Sequence, residues 1–474
     1  MSKLPEAYII QMKRLLGEAG FFAYEKSLSD PVTRALRVNL LLSPDGSLPC
    51  EVEGVTAPVP WAKGCYFVEG DARPGLSPLQ EGGLFYLQEP SALSAVSVLD
   101  PKPGERVLDL CAAPGGKSTQ IADLMQGRGL LVCNEPVSSR AQILSRNVER
   151  MGVRNAIVVS AMPDQLAPHF PSFFDRILVD APCSGEGMFR RQPEARDEWS
   201  ENSPRGCADR AMDILCEAAK MLVPGGVMVY STCTFNDTEN EGVLARFTAE
   251  HPEFTLEAFA LPGLPSGERG YAHLYPHEIC GEGHFVSLLR KAPDAPDTSA
   301  APAREEKRRP QRGKEGPKKK AEPVIAMPDV LAKGMAFDRL HMAGDSLWAL
   351  PEGLDDIARL SGLRVLRTGL FLAHMEVRRA EPDHALAMAL RPQEAARPAE
   401  LTYEQALLYQ AGEALNLGDL EPGYTLLTHC GISLGFGKEA GGLMKNHYPK
   451  GLRRRYPLRQ PLAVTSPFRG GLYL

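Results

Sequence analysis

The chain has 474 residues, 43% of them hydrophobic, and a formal net charge of −6. It is too long for one ordinary domain, and we expect two to four. The net charge argues against a uniformly basic nucleic-acid-binding coat. The sequence contains no run of about 18 apolar residues, so we predict no membrane span. The N-terminus lacks the pattern of a secretory signal. Ten cysteines in this length do not indicate a disulfide framework. We therefore predict a cytoplasmic protein.

The N-terminal part predicts a helix followed by strands. Residues 4–25 place apolar side chains at helical spacing, and residues 33–42 are typical of a strand carrying Arg34 and Arg37. The arginines are interpreted either as a solvated strand edge or as a contact to phosphate. Residues 82–88 predict another strand.

From residue 101 onward strands and helices alternate, which is typical of a parallel sheet covered on both faces. In such sheets a ligand binds beyond the carboxyl ends of the strands. We predict strands at residues 106–110, 130–134, 156–160, 176–179, 227–230 and 284–290, and helices at residues 117–124, 138–151 and 209–222.

Residues 293–323 differ in composition, being mostly Pro, Ala, Lys, Arg and Glu, and predict a disordered basic linker. Beyond it the pattern favours strands at residues 346–350, 364–366 and 423–430, and a helix at residues 401–415. Between residues 438 and 459 seven basic residues meet one Glu, with aromatic residues interleaved. This favours an RNA-binding face over a merely solvated one.

Three segments follow predicted strands and should meet at one sheet edge: VLDLCAAPGGK (residues 107–117), Asp180-Ala-Pro-Cys183 and Ser231-Thr-Cys233. The small residues of the first let a ligand approach the backbone at a helix N-terminus. It is neither G-x-G-x-x-G nor a Walker loop, which disfavours nicotinamide and nucleoside triphosphates. Glu135 follows the next strand, where a carboxylate can bind ribose hydroxyls. S-adenosylmethionine fits this pattern.

The two cysteines at adjacent strand ends have three interpretations. They could be inert buried thiols, which is the common state of free cysteine. They could be nucleophiles, since a neighbouring cation, for which Lys117 is a candidate, lowers a thiol pKa. A disulfide switch is disfavoured in a reducing compartment. A separate cluster, His273, His277, Cys280 and His284, lacks a second cysteine pair, so we predict no metal site.

The motifs CAAPGGK, DAPCSGEG (residues 180–187) and YSTCT (residues 230–234), in this order, resemble the signature of RNA 5-methylcytosine methyltransferases, the Nop2/NSUN/RsmF group. The segments LPEAYIIQMKRLLG, GLRVLRTGLFLAH and KNHYPKGLRR resemble the bacterial RsmF-type (YebU-like) 16S rRNA methyltransferases. The resemblance covers nearly the whole chain outside the linker.

The resemblance implies an α/β fold: a Rossmann-like class I S-adenosylmethionine-dependent methyltransferase domain, an N-terminal α+β RNA-binding region and small C-terminal α+β and PUA-like domains. The expected division is 1–95 for the N-terminal region, 96–291 for the catalytic domain, 292–323 for the linker, 324–395 for a middle domain and 396–474 for the PUA-like domain.

By this resemblance Cys233 would be the nucleophile that adds to C6 of cytosine, so that C5 accepts the methyl group. Cys183 would assist loss of the C5 proton and release of the base. Asp180 would hold the N3/N4 edge of cytosine, close to Lys117. Many relatives place an Asp after the third strand to meet the adenine amino group; here the candidates are Asp164, displaced from that position, and backbone atoms in its place. Cofactor binding is expected at Cys111, Ala112, Ala113, Pro114, Gly115, Gly116, Lys117, Glu135 and Asp180.

We therefore predict an S-adenosylmethionine-dependent enzyme that methylates C5 of cytosine in 16S rRNA. The expected partner is 16S rRNA or the small ribosomal subunit, with no membrane, no DNA and a monomeric state. The alternatives are the same chemistry on tRNA, and a non-catalytic RNA-binding factor of ribosome assembly. A nicotinamide dehydrogenase is disfavoured because the spaced glycines are missing.

Overall fold

The computed structural model describes residues 4–299, 327–375 and 380–454, and its strands form four sheets. Most of the predicted linker, and the basic residues beyond 454, lie outside the described residues. Within the described ranges no helix is both long and apolar enough to cross a bilayer.

The N-terminal sheet has the strand order β2-β3-β1-β4 and is preceded by a long helix. Tyr8 and Met12 are buried on that helix, as their helical spacing predicts. Gly17, at φ +69°, interrupts it. The elements are α1 (Glu6–Ser27), β1 (Arg34–Val38), β2 (Val55–Pro58), β3 (Cys65–Val68), α2 (Pro78–Glu81) and β4 (Phe85–Gln88).

Both interpretations of the strand arginines are wrong for Arg37, whose side chain is buried rather than available to solvent or phosphate. Arg37 is 1% exposed, forms an ion pair with Asp123 and donates to Thr119 Oγ1 at 2.6 Å. Arg34 donates to the carbonyl oxygens of residues 69, 70 and 72. The two arginines therefore hold the N-terminal sheet together and against the next domain.

The large sheet has the order β10-β12-β9-β8-β5-β6-β7-β15, with β11 paired to β12. Strands β5 to β9 run parallel, and β10, β11 and β12 are antiparallel additions. The predicted alternation is confirmed. The elements are α3 (Leu93–Leu99), β5 (Arg106–Asp109), α4 (Gly116–Met125), β6 (Leu130–Asn134), α5 (Ser138–Arg150), β7 (Ala156–Val159), α6 (Pro163–Leu166), β8 (Phe174–Asp180), α7 (Glu194–Glu198), α8 (Ser203–Met221), β9 (Leu222–Thr232), α9 (Glu241–Glu250), β10 (Phe254–Leu256), β11 (Tyr271–Leu274) and β12 (His284–Lys291).

The strands of this sheet are buried on both faces, which explains their continuous apolar sequences. One core cluster contains Leu108, Ile177 and Tyr230, and a second contains Val107, Leu178 and Val229. Neighbouring residues of one strand thus enter opposite cores, as the pleat of a strand requires. The parallel register brings the carboxyl ends of β5, β8 and β9 to one edge.

The strand predicted at residues 364–366 is confirmed at Val365–Arg367. It joins the large sheet, and not the sheet that the neighbouring C-terminal strands form. This strand, β15, pairs antiparallel with β7. Arg367 is 3% exposed and pairs with Glu149 at 3.0 Å. A charged residue is stable there because its partner is supplied by the neighbouring helix α5.

Two further sheets lie in the C-terminal part. The third has the order β13-β14-β16-β17, and the fourth, β18-β19-β20-β21, is antiparallel except for β18–β19. Ile432 of the fourth sheet packs into the core of the N-terminal sheet. The remaining elements are β13 (Leu340–Ala343), β14 (Ser346–Ala349), β16 (Leu370–Met375), β17 (Ala380–Pro382), α10 (His384–Ala389), β18 (Pro398–Glu400), α11 (Tyr403–Ala411), β19 (Gly423–His429), β20 (Ile432–Glu439) and β21 (Met444–Asn446).

Candidate functional site

Three strand ends meet at the carboxyl edge of the large sheet. The central strand β5 ends at Asp109, its neighbour β8 ends at Asp180, and β9 ends at Thr232. Since these strands are parallel and adjacent, the loops that follow them lie side by side. The structure thereby brings Lys117, Asp180 and the two cysteines of the predicted site to one edge.

Asp180 and Lys117 form the charged centre of this edge. Lys117 Nζ donates to Asp180 Oδ2 at 2.8 Å, Ser231 Oγ donates to Asp180 Oδ1 at 2.8 Å, and His284 Nε2 lies 3.6 Å from the same oxygen. Burial alone would raise the pKa of Asp180, but Lys117 and His284 overcome it and hold that pKa below its usual value. Burial would lower the pKa of Lys117, and Asp180 instead raises it.

The two sulfur atoms of the predicted site are neighbours. Cys183 Sγ lies 3.4 Å from Cys233 Sγ, and neither residue is fully exposed. The hydrogen bond to Cys233, followed by burial, raises the pKa of the Cys183 thiol well above its usual value. Cys183 is thus held as a neutral thiol beside its partner.

A buried polar network supports both cysteine loops. Ser184 donates from its main-chain nitrogen (2.8 Å) and its hydroxyl (2.5 Å) to the two carboxyl oxygens of Glu239. Asn236 Nδ2 donates to Glu239 at 2.6 Å and to Glu186 at 3.1 Å. Burial raises the pKa of Glu239. Glu186 and Glu239 were not predicted from the sequence; the signal was their position, three residues after Cys183 and six residues after Cys233.

The turn from Cys111 to Lys117 has the shape that a close ligand requires. The Ala113–Pro114 peptide bond is cis. Gly115 has φ +113°, a backbone conformation that disfavours any residue other than glycine. Arg140 donates to the carbonyl of Ala113, and Asn147 donates to that of Pro114 at 2.8 Å. Helix α4 starts at Gly116, within this turn, so its N-terminus faces the same edge of the sheet.

Glu135 follows β6 and is 2% exposed. Its Oε1 accepts from the main-chain nitrogen of Val137 at 2.9 Å, and Arg140 Nη1 lies 3.4 Å from Oε2. A buried carboxylate directly after the second strand is placed for ribose hydroxyl groups, as expected for this topology.

Asp109, which was not among the predicted site residues, ends β5 as a fully buried carboxyl group. Ser118 Oγ donates to its Oδ2 at 2.6 Å, whereas Oδ1 has no hydrogen-bond partner among the described residues. Burial raises its pKa to about 7, and the nearby Asp180 and Glu135 add to this. The residues of the edge fit an adenosine-bearing ligand: an orphaned buried oxygen, a glycine turn, a helix N-terminus and a buried carboxylate.

Other predicted residues lie elsewhere. Asp164 is exposed at the start of helix α6. Of the histidine–cysteine cluster for which no metal site was predicted, His273 pairs with Glu241 at 2.7 Å and Cys280 is exposed, while His284 faces Asp180. No group of three or more His, Cys, Asp or Glu able to hold a metal occurs in the described ranges.

This sheet, with its helices on both faces and its glycine turn after the central strand, defines a Rossmann-like class I methyltransferase domain. Solved structures agree. A methyltransferase homologue from Pyrococcus horikoshii is 28% identical, with a TM-score of 0.51 over 60% of this chain and 95% of that one. NSun6 from the same organism has the same fold, with a TM-score of 0.50 at 23% identity over 60% of this chain and 98% of that one.

Four family models match the chain. They describe the N-terminal domain of 16S rRNA methyltransferase RsmF (residues 4–90), 16S rRNA methyltransferase RsmB/F (96–290), the first C-terminal domain of RsmF rRNA methyltransferase (329–390) and the RsmF PUA domain (396–454). Ribosomal RNA small subunit methyltransferase F of Erwinia tasmaniensis is 32% identical over 95% of this chain and 97% of that protein. The Aliivibrio salmonicida protein of the same name is 31% identical over 95% and 98%. The chain belongs to the RsmF family of methyltransferases.

Proposed function

We propose that this protein methylates C5 of cytosine in 16S rRNA through a covalent adduct between Cys233 and C6 of the base. The observation that carries the proposal is the pair of sulfur atoms 3.4 Å apart beside the Lys117–Asp180 ion pair. One thiol can attack the base while the other, held neutral, remains available for proton transfer.

The adduct forms when the Cys233 sulfur, as its thiolate, bonds to C6. The electrons of the C5–C6 double bond move onto C5, and C5 becomes nucleophilic enough to take a methyl group. Asp180, kept ionised by Lys117 and His284, accepts a hydrogen bond from the cytosine N4 amino group. Lys117 Nζ, 2.8 Å from that carboxylate, stabilises the negative charge that develops on the ring.

Release reverses the attack. The C5 proton passes to solvent water, the electrons of the C5–H bond re-form the C5–C6 double bond, and the C6–sulfur bond breaks to return the Cys233 thiolate. Cys183 lies 3.4 Å from the departing sulfur and assists this elimination. The target base must be unpaired or turned out of its helix, because C6 is otherwise inaccessible to a side chain.

We propose S-adenosylmethionine as the cofactor. It supplies an electrophilic methyl group when it is bound. Glu135 would bind the ribose hydroxyls, and the turn of residues 111–117 with the N-terminus of α4 would lie against the methionine part. Asp164, which is exposed, is not assigned to the adenine.

Binding of RNA is assigned to the C-terminal sheet, which matches the PUA model. Lys445 of its last strand, and Lys450 and Arg453 just beyond that strand, are exposed and can neutralise phosphates. The domain division expected from the sequence, a cytoplasmic location and a monomeric state are part of this proposal. A tRNA substrate and a non-catalytic assembly role remain the alternatives that the experiment must separate.

The test is transfer of labelled methyl from S-adenosylmethionine to three unmodified acceptors: small ribosomal subunits, naked 16S rRNA and bulk tRNA. Label recovered as 5-methylcytosine on a ribosomal acceptor supports the proposal. Label on tRNA alone would keep the chemistry and overturn the substrate. Binding of cofactor and RNA without label on any acceptor would overturn catalysis in favour of an assembly role.

A further inference from the structure

Glu186 lies at the centre of contacts that join the two cysteine loops. It is 0% exposed and sits three residues after Cys183. Its Oε2 accepts from the main-chain nitrogens of Phe235 at 2.8 Å and Asn236 at 3.0 Å, which follow Cys233. One carboxyl oxygen therefore ties the first cysteine loop to the backbone of the second.

The other oxygen of Glu186 is equally committed. Its Oε1 accepts from Asn236 Nδ2 at 3.1 Å, from Trp199 Nε1 at 3.3 Å and from Gln11 Nε2 at 2.8 Å. Gln11 belongs to α1, the helix of the N-terminal region. All these neighbours are N–H donors, so the site requires a group that only accepts.

Helix α1 packs against the same two loops through apolar and charged contacts. The Tyr8 ring packs edge-on against Phe189 at 4.9 Å between centroids, and the Tyr24 ring packs edge-on against Phe235 at 5.7 Å. Arg14 donates to both oxygens of Asp237 at 2.9 Å. The helix thus contacts segments that follow each cysteine.

The main chain of the two loops is also joined directly. The nitrogen of Gly187 donates to the carbonyl oxygen of Cys233 at 2.9 Å. A Cβ added at Gly187 would lie 3.0 Å from that oxygen and 2.8 Å from the carbonyl oxygen of Gly283. The loops therefore approach closely at the residue next to Glu186, and their relative placement depends on this contact.

We infer that Glu186 is a positioning residue that holds Cys183 and Cys233 in register, and that Gln11 makes helix α1 part of this active-site scaffold. The inference rests on the proposed two-cysteine chemistry. Glu186 is fully buried, and among the described residues it hydrogen-bonds to none that is assigned to the cofactor. It acts through the backbone on which the two sulfurs are placed.

The variant Glu186→Gln tests this role. In either orientation the new amide NH2 would point at N–H donors and lose at least one bond. We expect the turnover rate to fall about tenfold or more, while the KM for S-adenosylmethionine stays unchanged. The matched control is Glu194→Gln, at an exposed position on the neighbouring helix α7, which should behave like the wild type.

A second readout needs no RNA. Diamide oxidises the two thiols to a disulfide, taking up their two electrons and two protons, and mass spectrometry follows the Cys183–Cys233 product. Because its rate depends on the closeness of the sulfurs, we expect Glu186→Gln to slow it about tenfold. Equal disulfide rates and equal turnover in the variant and the wild type would overturn the inference and leave the proposed function intact.

A double variant separates positioning from general loss of stability. Gln11→Glu in the Glu186→Gln background places an acceptor opposite the new amide, and should recover part of the disulfide rate. The same Gln11→Glu change alone sets two carboxyl groups together and should lower the disulfide rate.

If Glu186→Gln does not fold, Gln11→Leu tests the same link and should slow disulfide formation about threefold; an unchanged rate would overturn the inference. A slowed disulfide rate in variants of an enzyme that methylates no RNA would support the inference while the proposed function fails.

Discussion

The Nζ atom of Lys117 and the Oδ2 atom of Asp180 lie 2.8 Å apart, although the residues follow different strands. The ion pair explains why the pKa of Asp180 is held below its usual value despite burial. Cation and carboxylate are each supplied by a strand end, so the pair exists only once the parallel strands are adjacent.

Removing the positive charge of Lys117 should shift the acid side of the pH profile of kcat/KM. In Lys117→Met, burial of Asp180 is no longer opposed by that charge, so its pKa rises. The carboxylate is then protonated at a higher pH, and kcat/KM should begin to fall at a higher pH than in the wild type. Lys117→Arg, which keeps the charge, is the control. The measurement is the pH profile of methyl transfer between about pH 4 and pH 8, with cofactor affinity determined separately; superimposable profiles would contradict the role.

The variant Cys233→Ala should abolish methyl transfer, because no other sulfur is placed to attack C6 in the proposed scheme. Cofactor binding should remain, since the thiol lies outside the turn and the carboxylate assigned to the cofactor. Calorimetry with S-adenosylmethionine and the labelled-methyl assay check both points. Retained turnover would show that Cys233 is not the nucleophile.

The variant Cys183→Ala should trap the enzyme on its substrate. Attack by Cys233 is still possible, but the elimination that releases the base loses its nearby thiol. We expect a covalent RNA–protein species that survives a denaturing gel and disappears in the Cys183→Ala/Cys233→Ala double variant. Free enzyme at wild-type levels after reaction would count against this division of roles.

The buried carboxyl of Asp109 should make stability depend on pH. Its folded-state pKa is about 7, against an ordinary 3.8, so the folded protein binds more protons than the unfolded chain between these values. Stability therefore falls as pH rises from about 4 to 7, by at most about 4 kcal/mol. Asp109→Asn should flatten this slope, giving a higher Tm than the wild type at pH 8 and a smaller difference at pH 5. An equal Tm difference at both values would contradict it.

Basic residues on the last strand of the C-terminal sheet and just beyond it should contribute to RNA affinity through charge alone. We expect Lys445→Ala and Lys450→Ala each to weaken binding of 16S rRNA and to reduce the slope of log K against log salt by about one. Lys220→Ala is the control, because Lys220 lies at the end of α8 where β9 begins, opposite the catalytic edge. Salt slopes equal to the wild type would make this surface structural. Point substitutions are required, since deleting the sheet would remove Ile432 from the N-terminal core.

Local sequence determined much of this protein. Apolar runs fixed the central strands, and the turns at Cys111, Cys183 and Cys233 lay directly after them, because period, burial and turn chemistry are properties of short segments. Because the strands are parallel, their order predicts that these turns lie at one edge of the sheet.

Only the tertiary structure decided which partners distant segments acquire. Arg37, at a predicted strand edge, is buried against Asp123, and the strand Val365–Arg367 pairs with β7, which lies about 200 residues earlier in the chain. Glu186 receives a donor from Gln11, 175 residues away. Such contacts depend on how separate elements pack, and a buried charge is tolerated only where packing supplies its partner, which no local pattern specifies.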